Sequence, residues 1–286
     1  MRMKKWGLLL AVVMLVSVLG ACSKAEEKKE IKLAYVAWDS EIASTNVVKH
    51  VLETKLGYEV EMVQVDAGPM WAGIADGSAD AMVAAWLPGT HASYLEEYAA
   101  NVVDLGPNLD GTKIGLTVPA YMDITSIEDL KNADVSASLQ DRIVGIEPGA
   151  GIMMASEKAV AEYGLDNITL LESSSAAMAQ ELQTAYDAKQ PIVVTGWTPH
   201  WMFAKMDLKY LEDPKGVYGG DEQIHTMVRT GLEGDMKDAY AFLDKFNWTA
   251  DDMAAVMVEI LEGKSPEDAA KAWVEANGDK VGAWLE

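Results

Sequence analysis

Two short stretches decide how the chain is organised: Ala85-Trp86-Leu87-Pro88 and Gly196-Trp197-Thr198-Pro199. Each follows an apolar run that reads as a buried strand, Ala79–Ala85 in one case and Ile192–Thr195 in the other. One Trp-x-Pro is weak evidence; two in equivalent places of two matching series mark an internal repeat. Upstream of Trp86 come a strand at Ile31–Val36, a helix with Val47, Val48, Val51, Leu52 and Leu56 on one face, an alternating strand at Glu59–Val65 and a short helix at Met70–Ala75. Upstream of Trp197 the order returns. A strand at Ile143–Ile146 leads through a glycine-rich turn to a helix with Met153, Ala159 and Val160, then a strand at Ile168–Leu171 and a helix with Met178, Leu182 and Tyr186. Downstream, Val102–Leu105 matches Lys209–Glu212, and Lys113–Val118 matches Gln223–Val228.

Strands alternating with helices imply α/β layering, and the repeat implies two such lobes. The expected crossings lie near Gly115–Pro119 and Thr226–Arg229, so residues 31–116 and 228–286 form lobe 1 and 117–227 form lobe 2. After Arg229 the pattern turns helical. Thr249 ahead of Asp252, and Ser265 ahead of Pro266 and Asp268, read as helix starts with a hydroxyl N-cap and acids in the first turn. These C-terminal helices are expected to pack on lobe 1. A cleft on a double crossing suits closure over a small ligand.

The 286 residues carry 45 acids against 23 bases, a formal charge of −22, which repels phosphate backbones and argues against nucleic-acid binding. Four histidines and one cysteine leave little for a Cys/His metal site and nothing for an internal disulfide, and no cofactor is expected. At the N-terminus, Arg2, Lys4 and Lys5 precede an uncharged, mostly apolar run from Trp6 to Gly20, short for a membrane span. It ends in Leu19-Gly20-Ala21-Cys22, which looks like a bacterial lipobox: residues 1–21 would be a signal and Cys22 the lipidated first residue of the mature protein. Residues 22–30 then read as a polar tether, with the folded body outside the cytoplasm on the outer face of the cell membrane.

Nine tryptophans stand beside only three phenylalanines. Three of them, Trp38, Trp86 and Trp197, follow expected strands, where open α/β sheets bind ligands. A single such indole most simply caps a core. Three at corresponding positions in both lobes point to a shared aromatic cage, the chemistry that holds a quaternary ammonium group, which has no N–H to donate. At roughly 1–2 kcal/mol per desolvated contact, three rings supply a few kcal/mol. Micromolar binding needs about 8 kcal/mol, so the other end of the ligand needs an anchor. The backbone amides of Gly151 and Ile152, at the start of a helix, suit a carboxylate. His91, five residues past Trp86, reads equally as an added donor or as a surface histidine capping its own helix. Pro148-Gly149-Ala150-Gly151 lacks the spacing of a phosphate loop. Trp71, Trp248, Trp273 and Trp284 read as core, Trp201 as a packing neighbour of Trp197, the methionines as core filler, and Asp39 and Glu41 as solvated acids flanking the cage.

The segments Val36-Ala37-Trp38-Asp39-Ser40-Glu41-Ile42, Trp86-Leu87-Pro88-Gly89-Thr90-His91, Pro148–Met153 and Thr195–Trp201 resemble the glycine betaine-binding lipoproteins of ABC importers, and the similarity runs from about Ile31 to the C-terminus. The resemblance implies a two-lobed periplasmic-binding-protein-like α/β fold of type II. It also implies a three-Trp prism, mapped to Trp38, Trp86 and Trp197, around the trimethylammonium group. The ligand carboxylate would meet the backbone of Gly151 and Ile152 and the side chain of His91. Family members arrange the two halves in the opposite chain order, so hinge boundaries do not transfer by position.

The implied role is capture of glycine betaine, with proline betaine as a second ligand, for a permease driven by a separate ATPase, by a monomer anchored through its lipid, in osmoprotection. The same role for carnitine or choline is the alternative; choline lacks the carboxylate and would leave Gly151 and Ile152 unused. An extracytoplasmic enzyme acting on a quaternary-ammonium substrate is the alternative of another class, but no GxSxG, HExxH or cysteine nucleophile is present.

Overall fold

The computed structural model describes residues 29–286. The signal segment, Cys22 and most of the expected tether lie outside the described residues. Within the described part, each half begins with three parallel strands in the order second-first-third. In the first half, β1 (Lys29–Tyr35) lies between β2 (Tyr58–Gln64) and β3 (Ala81–Leu87), with α1 (Asp39–Lys55) and α2 (Ala67–Asp76) as the crossovers. The first strand thus takes in the last two residues of the expected tether, Lys29 and Glu30. The strand β3, AMVAAWL, is buried along its whole length, as a central strand covered on both faces must be.

After α3 (Ala92–Tyr98) the chain enters β4 (Val102–Pro119), an 18-residue strand where the sequence pattern suggested two short ones. Its register shifts around Pro107 and between Asp110 and Thr112, next to Gly106 and Gly111 at φ 95° and 76°. Such bulges bend a strand without ending it. The 3-10 turn at Ile127–Lys131 and α4 (Ala133–Ser138) lead into the second half. There β5 (Arg142–Val144) lies between β6 (Thr169–Leu171) and β7 (Val194–Thr198), with α5 (Gly151–Tyr163) and α6 (Ser175–Asp187) as crossovers. Then come α7 (Trp201–Lys205), β8 (Leu208–Tyr210) and β9 (Glu222–Arg229).

Each half completes its sheet with an antiparallel strand contributed by the other half of the chain, β9 to the first and the end of β4 to the second. The lobe 1 sheet runs β2-β1-β3-β9-β4, and the end of β4 then pairs with β7 and β8 of lobe 2. This corrects the expected crossings. The strand β4 changes partner between Thr112, paired with Glu222, and Lys113, paired with Thr198; the return falls before Glu222, since β9 already belongs to lobe 1's sheet. Gly115–Pro119 and Thr226–Arg229 therefore lie inside the two sheets, because the bulges keep β4 continuous through the boundary.

The C-terminal elements are α8 (Leu232–Asp235), α9 (Lys237–Lys245), α10 (Ala250–Leu261), α11 (Pro266–Ala276) and α12 (Gly278–Leu285). Thr249 and Asp252 form a reciprocal capping box on α10, and the Ser265 hydroxyl caps α11 with Pro266 in its first turn. Helices α10 and α11 pack on α1; α10 also reaches α7 of lobe 2, where Lys205 pairs with Glu262 at 2.7 Å. Trp248, Trp273 and Trp284 form an aromatic core there with Phe246.

Candidate ligand-binding site

Trp38 is the N-cap residue of α1, while Trp86 and Trp197 are next to last in β3 and β7 rather than beyond the strand ends. All three are at most 5% exposed, and all three line one cavity between the lobes. Thr90 joins Trp38 and Trp86 on the lobe 1 side. Trp197, Ile146, Gly151 and Ile152 face them from lobe 2, and Ile114 comes from the crossing strand β4. The cavity and its mouth, open solvent included, enclose about 280 Å³. The peptide bonds Leu87–Pro88 and Thr198–Pro199, just past Trp86 and Trp197, are both cis.

A buried indole N–H needs a partner, and the residues after Trp38 supply three. Asp39 Oδ1 accepts from Trp201 at 2.9 Å, Ser40 Oγ from Trp197 at 3.3 Å, and Glu41 Oε1 from Trp86 at 2.9 Å. Trp38 itself donates to Glu147 of lobe 2. The bonds of Asp39, Ser40 and Trp38 cross the cleft, as do Ser175 Oγ to Asp39 at 3.1 Å and Tyr94 Oη to the Gly149 carbonyl at 2.8 Å. The lobes are closed on one another. Their closeness is sharpest at Gly151, where a Cβ would lie 2.3 Å from the Thr90 carbonyl oxygen, so only glycine fits.

Gly151 and Ile152 open α5, whose N-cap, Ala150, offers no side-chain oxygen. First-turn amides have no carbonyl within their own helix, so these two are free to meet an anion at the cavity wall. Thr90 is fixed from the other side: its amide and that of Gly89 each donate to Glu222 Oε1 at 2.7 Å.

The ring of His91 is fully buried, packed against the cavity-lining Trp38. It is neither at the surface nor capping α3 through its side chain. It sits among Trp38, Trp71 and Tyr94 at centroid distances of 5.8–5.9 Å. Its Nδ1 accepts the Trp86 amide at 3.1 Å and the Trp71 indole at 3.4 Å, which places the ring proton on Nε2. Nε2 is buried with no partner among the described residues. Burial alone pulls the ring's pKa down to about 3, so the imidazole is neutral.

The acids around the cage differ in environment. Burial pushes Glu41 up to about 7 against the opposing bonds from Trp86, Ser44 and Ser40. Burial also raises Glu147, against its bond from Trp38. For Asp39 burial is outweighed by the contacts with His200, Trp201 and Ser175, which hold it below the usual carboxylate range. Asp39 and Glu41 are thus structural partners of the tryptophans, not the solvated acids the sequence suggested, and Trp201 spans the cleft rather than merely packing. No local signal marked them: Ser40, Glu41, Ser44, Thr45 and Asn46, polar in the sequence, all lie inside. Among the described residues no group of three or more His, Cys, Asp or Glu is placed to hold a metal ion.

Two α/β lobes joined by shared strands and closed over a small indole-walled cavity define a substrate-binding protein of two-lobed type. Residues 29–276 match the family described as the substrate binding domain of the ABC-type glycine betaine transport system (OpuAC), and the chain belongs to that family. Over 155 residues it is 54% identical to the glycine betaine/carnitine transport binding protein GbuC of Listeria monocytogenes; the match covers 54% of this chain and 52% of that protein, about half the length of each. Two solved structures are similar over nearly the whole chain. Lactococcal OpuAC, closed and complexed with glycine betaine, is 47% identical at a TM-score of 0.85, covering 91% of this chain and all of that one. The glycine betaine/L-proline-binding protein ProX of Borrelia burgdorferi is 37% identical at 0.86, covering 90% and 97%.

Proposed function

We propose that the protein captures glycine betaine, and proline betaine as a second ligand, between its lobes and delivers it to an ABC permease driven by a separate ATPase. The observation that carries this reading is the meeting of Trp38, Trp86 and Trp197, from both lobes, on the wall of one small cavity. Three indole faces attract a methylated cation that offers no hydrogen bond. At the other end, the first-turn amides of Gly151 and Ile152 receive the carboxylate. The unpartnered Nε2–H of His91 supports a third donor there, since an unpaired buried donor costs about 1–3 kcal/mol that a ligand oxygen would relieve. Binding of glycine betaine in the lactococcal relative supports the same ligand class.

The role is capture and release without turnover. Cys22 carries the lipid that tethers the monomer to the outer face of the membrane; among the described residues no helix is long and apolar enough to cross one. Choline would leave the carboxylate donors unserved, so it is expected to bind at least about tenfold more weakly than glycine betaine, the cost of one buried unpaired donor. Carnitine, with its longer chain, should fall between. Isothermal titration with glycine betaine, proline betaine, carnitine and choline tests this order. Absence of heat with every betaine, or release of a chemical product, would end the proposal.

A further inference from the structure

Beside the cage lies a carboxyl group that no ion pair accounts for. Glu41 is fully buried in the first turn of α1, and its oxygens meet the Trp86 indole N–H at 2.9 Å and the hydroxyls of Ser44 at 3.2 Å and Ser40 at 3.5 Å. These donors are all neutral. The charged groups on the surrounding elements are engaged elsewhere. Asp39, on the same helix, faces His200, Trp201 and Ser175 across the cleft. His91, from the turn after β3, is neutral. Glu147 of lobe 2 accepts from Trp38, and Glu222 of β9 holds Gly89 and Thr90. Lys32 and Glu61 of β1 and β2 pair with each other, as do Lys280 and Asp252 of the C-terminal helices, while Lys271 and Glu275 of α11 act on His50 further along α1.

We infer that Glu41 is a positioning residue through which the cage couples cation capture to loss of a proton: ionised, it holds Trp86 and sets a negative charge at the N–H edge of the ring, whereas protonated it keeps the ring but not the charge. The inference rests on the reading of the cavity as a trimethylammonium site. Burial is the dominant influence on Glu41 and pushes it up to about 7, so it is half-ionised near neutrality. A permanent cation over the face of the same indole favours the carboxylate at its edge, so the proton leaves for solvent as the ligand enters. The ligand contributes no proton of its own, because its nitrogen is quaternary and its carboxylate ionises far below this range.

The test is titration calorimetry with glycine betaine at about pH 5.5 and about pH 8, in buffers of different protonation enthalpy. One unit of pKa shift on binding corresponds to about tenfold tighter binding at the higher pH, with fractional proton release near neutrality. Glu41→Gln keeps an oxygen for the Trp86 N–H and should bind equally at both pH values; Glu61→Gln, at an exposed acid outside the cavity wall, should keep the rise. The carbon isostere 3,3-dimethylbutyrate, an anion whose tert-butyl group brings no positive charge to the indoles, should show no rise. A rise that persists in Glu41→Gln, or that the isostere shares, overturns the inference. Failure of the underlying reading looks different: no heat from any betaine at either pH. In ligand-free protein, the Trp86 indole N–H resonance, assigned by its loss in Trp86→Phe, should titrate with a midpoint near 7 and stand still in Glu41→Gln. A stationary resonance in the unmutated protein overturns the inference without reference to any ligand.

Discussion

Trp86 and Trp197 occupy equivalent places in the two halves, each next to last in its strand and each followed by a cis X-Pro bond, yet they are held in different ways. Everything that fixes Trp86 belongs to its own lobe: Glu41 takes its indole N–H, His91 Nδ1 takes its amide, and Glu222 pins the turn that follows. Trp197 relies on the other lobe for its side-chain hydrogen bond, since its indole N–H is received by Ser40; from within, His200 stands edge-on at 4.7 Å and β4 pairs with its backbone. Duplication thus supplied two like backbones, and the polar partners made one wall prebuilt and the other complete only on closure. Such an arrangement gives a ligand differential contacts with the closed state, which any ligand-driven closure requires.

The largest expected effect tests whether the two walls are equal partners in the cage. Trp197→Ala removes a ring worth roughly 1–2 kcal/mol in cation–π attraction plus its buried area, so glycine betaine binding should weaken about a hundredfold and at least tenfold. Trp86→Ala should cost as much, with both proteins folded by circular dichroism. An unchanged titration for either removes that indole from the cage and leaves a one-sided site.

A smaller loss is expected where the walls touch. Gly151→Ala keeps the amide but places a Cβ 2.3 Å from the Thr90 carbonyl, a backbone atom that cannot swing aside. At about 2 kcal/mol for overpacking, affinity should drop about thirtyfold, with the ligand-induced compaction seen by small-angle scattering reduced. Wild-type affinity in this variant would mean that the liganded lobes do not meet as they do here.

The repeat was legible because its signals are local: apolar runs of strand length, helical spacing of Val47, Val48, Val51 and Leu52, and hydroxyl caps at Thr249 and Ser265. That Trp38, Trp86, Trp197, Gly151 and Ile152 line one cavity was foreshadowed for the same reason, through their places in the repeat. The continuity of β4 was not. Gly106, Pro107 and Gly111 read as breaks, and only pairing with β9 turns them into bulges. Glu41 was hidden more deeply. An acid in a first helical turn suits the helix dipole wherever the helix lies, so its type says nothing about burial; that depends on Trp86 arriving from β3, forty-five positions away. His91 was half legible, as a possible donor whose ring nitrogens could be told apart only once the Trp86 amide was seen to occupy one of them.

The smallest effect separates the two walls most sharply. Ser40→Ala deletes the one indole hydrogen bond that Trp197 makes, a neutral contact at 3.3 Å that exists only across the closed cleft. A bond of that kind contributes about 0.5–1 kcal/mol net, so affinity should fall about two- to fivefold. Because the bond is absent in an open molecule, the loss should appear as faster dissociation with an unchanged association rate, read by stopped-flow tryptophan fluorescence. Trp86 keeps its partner in this variant, so a pH dependence due to Glu41 should survive it. If association slowed instead, Ser40 would be ordering the empty site, and Trp197 would be as prebuilt as Trp86.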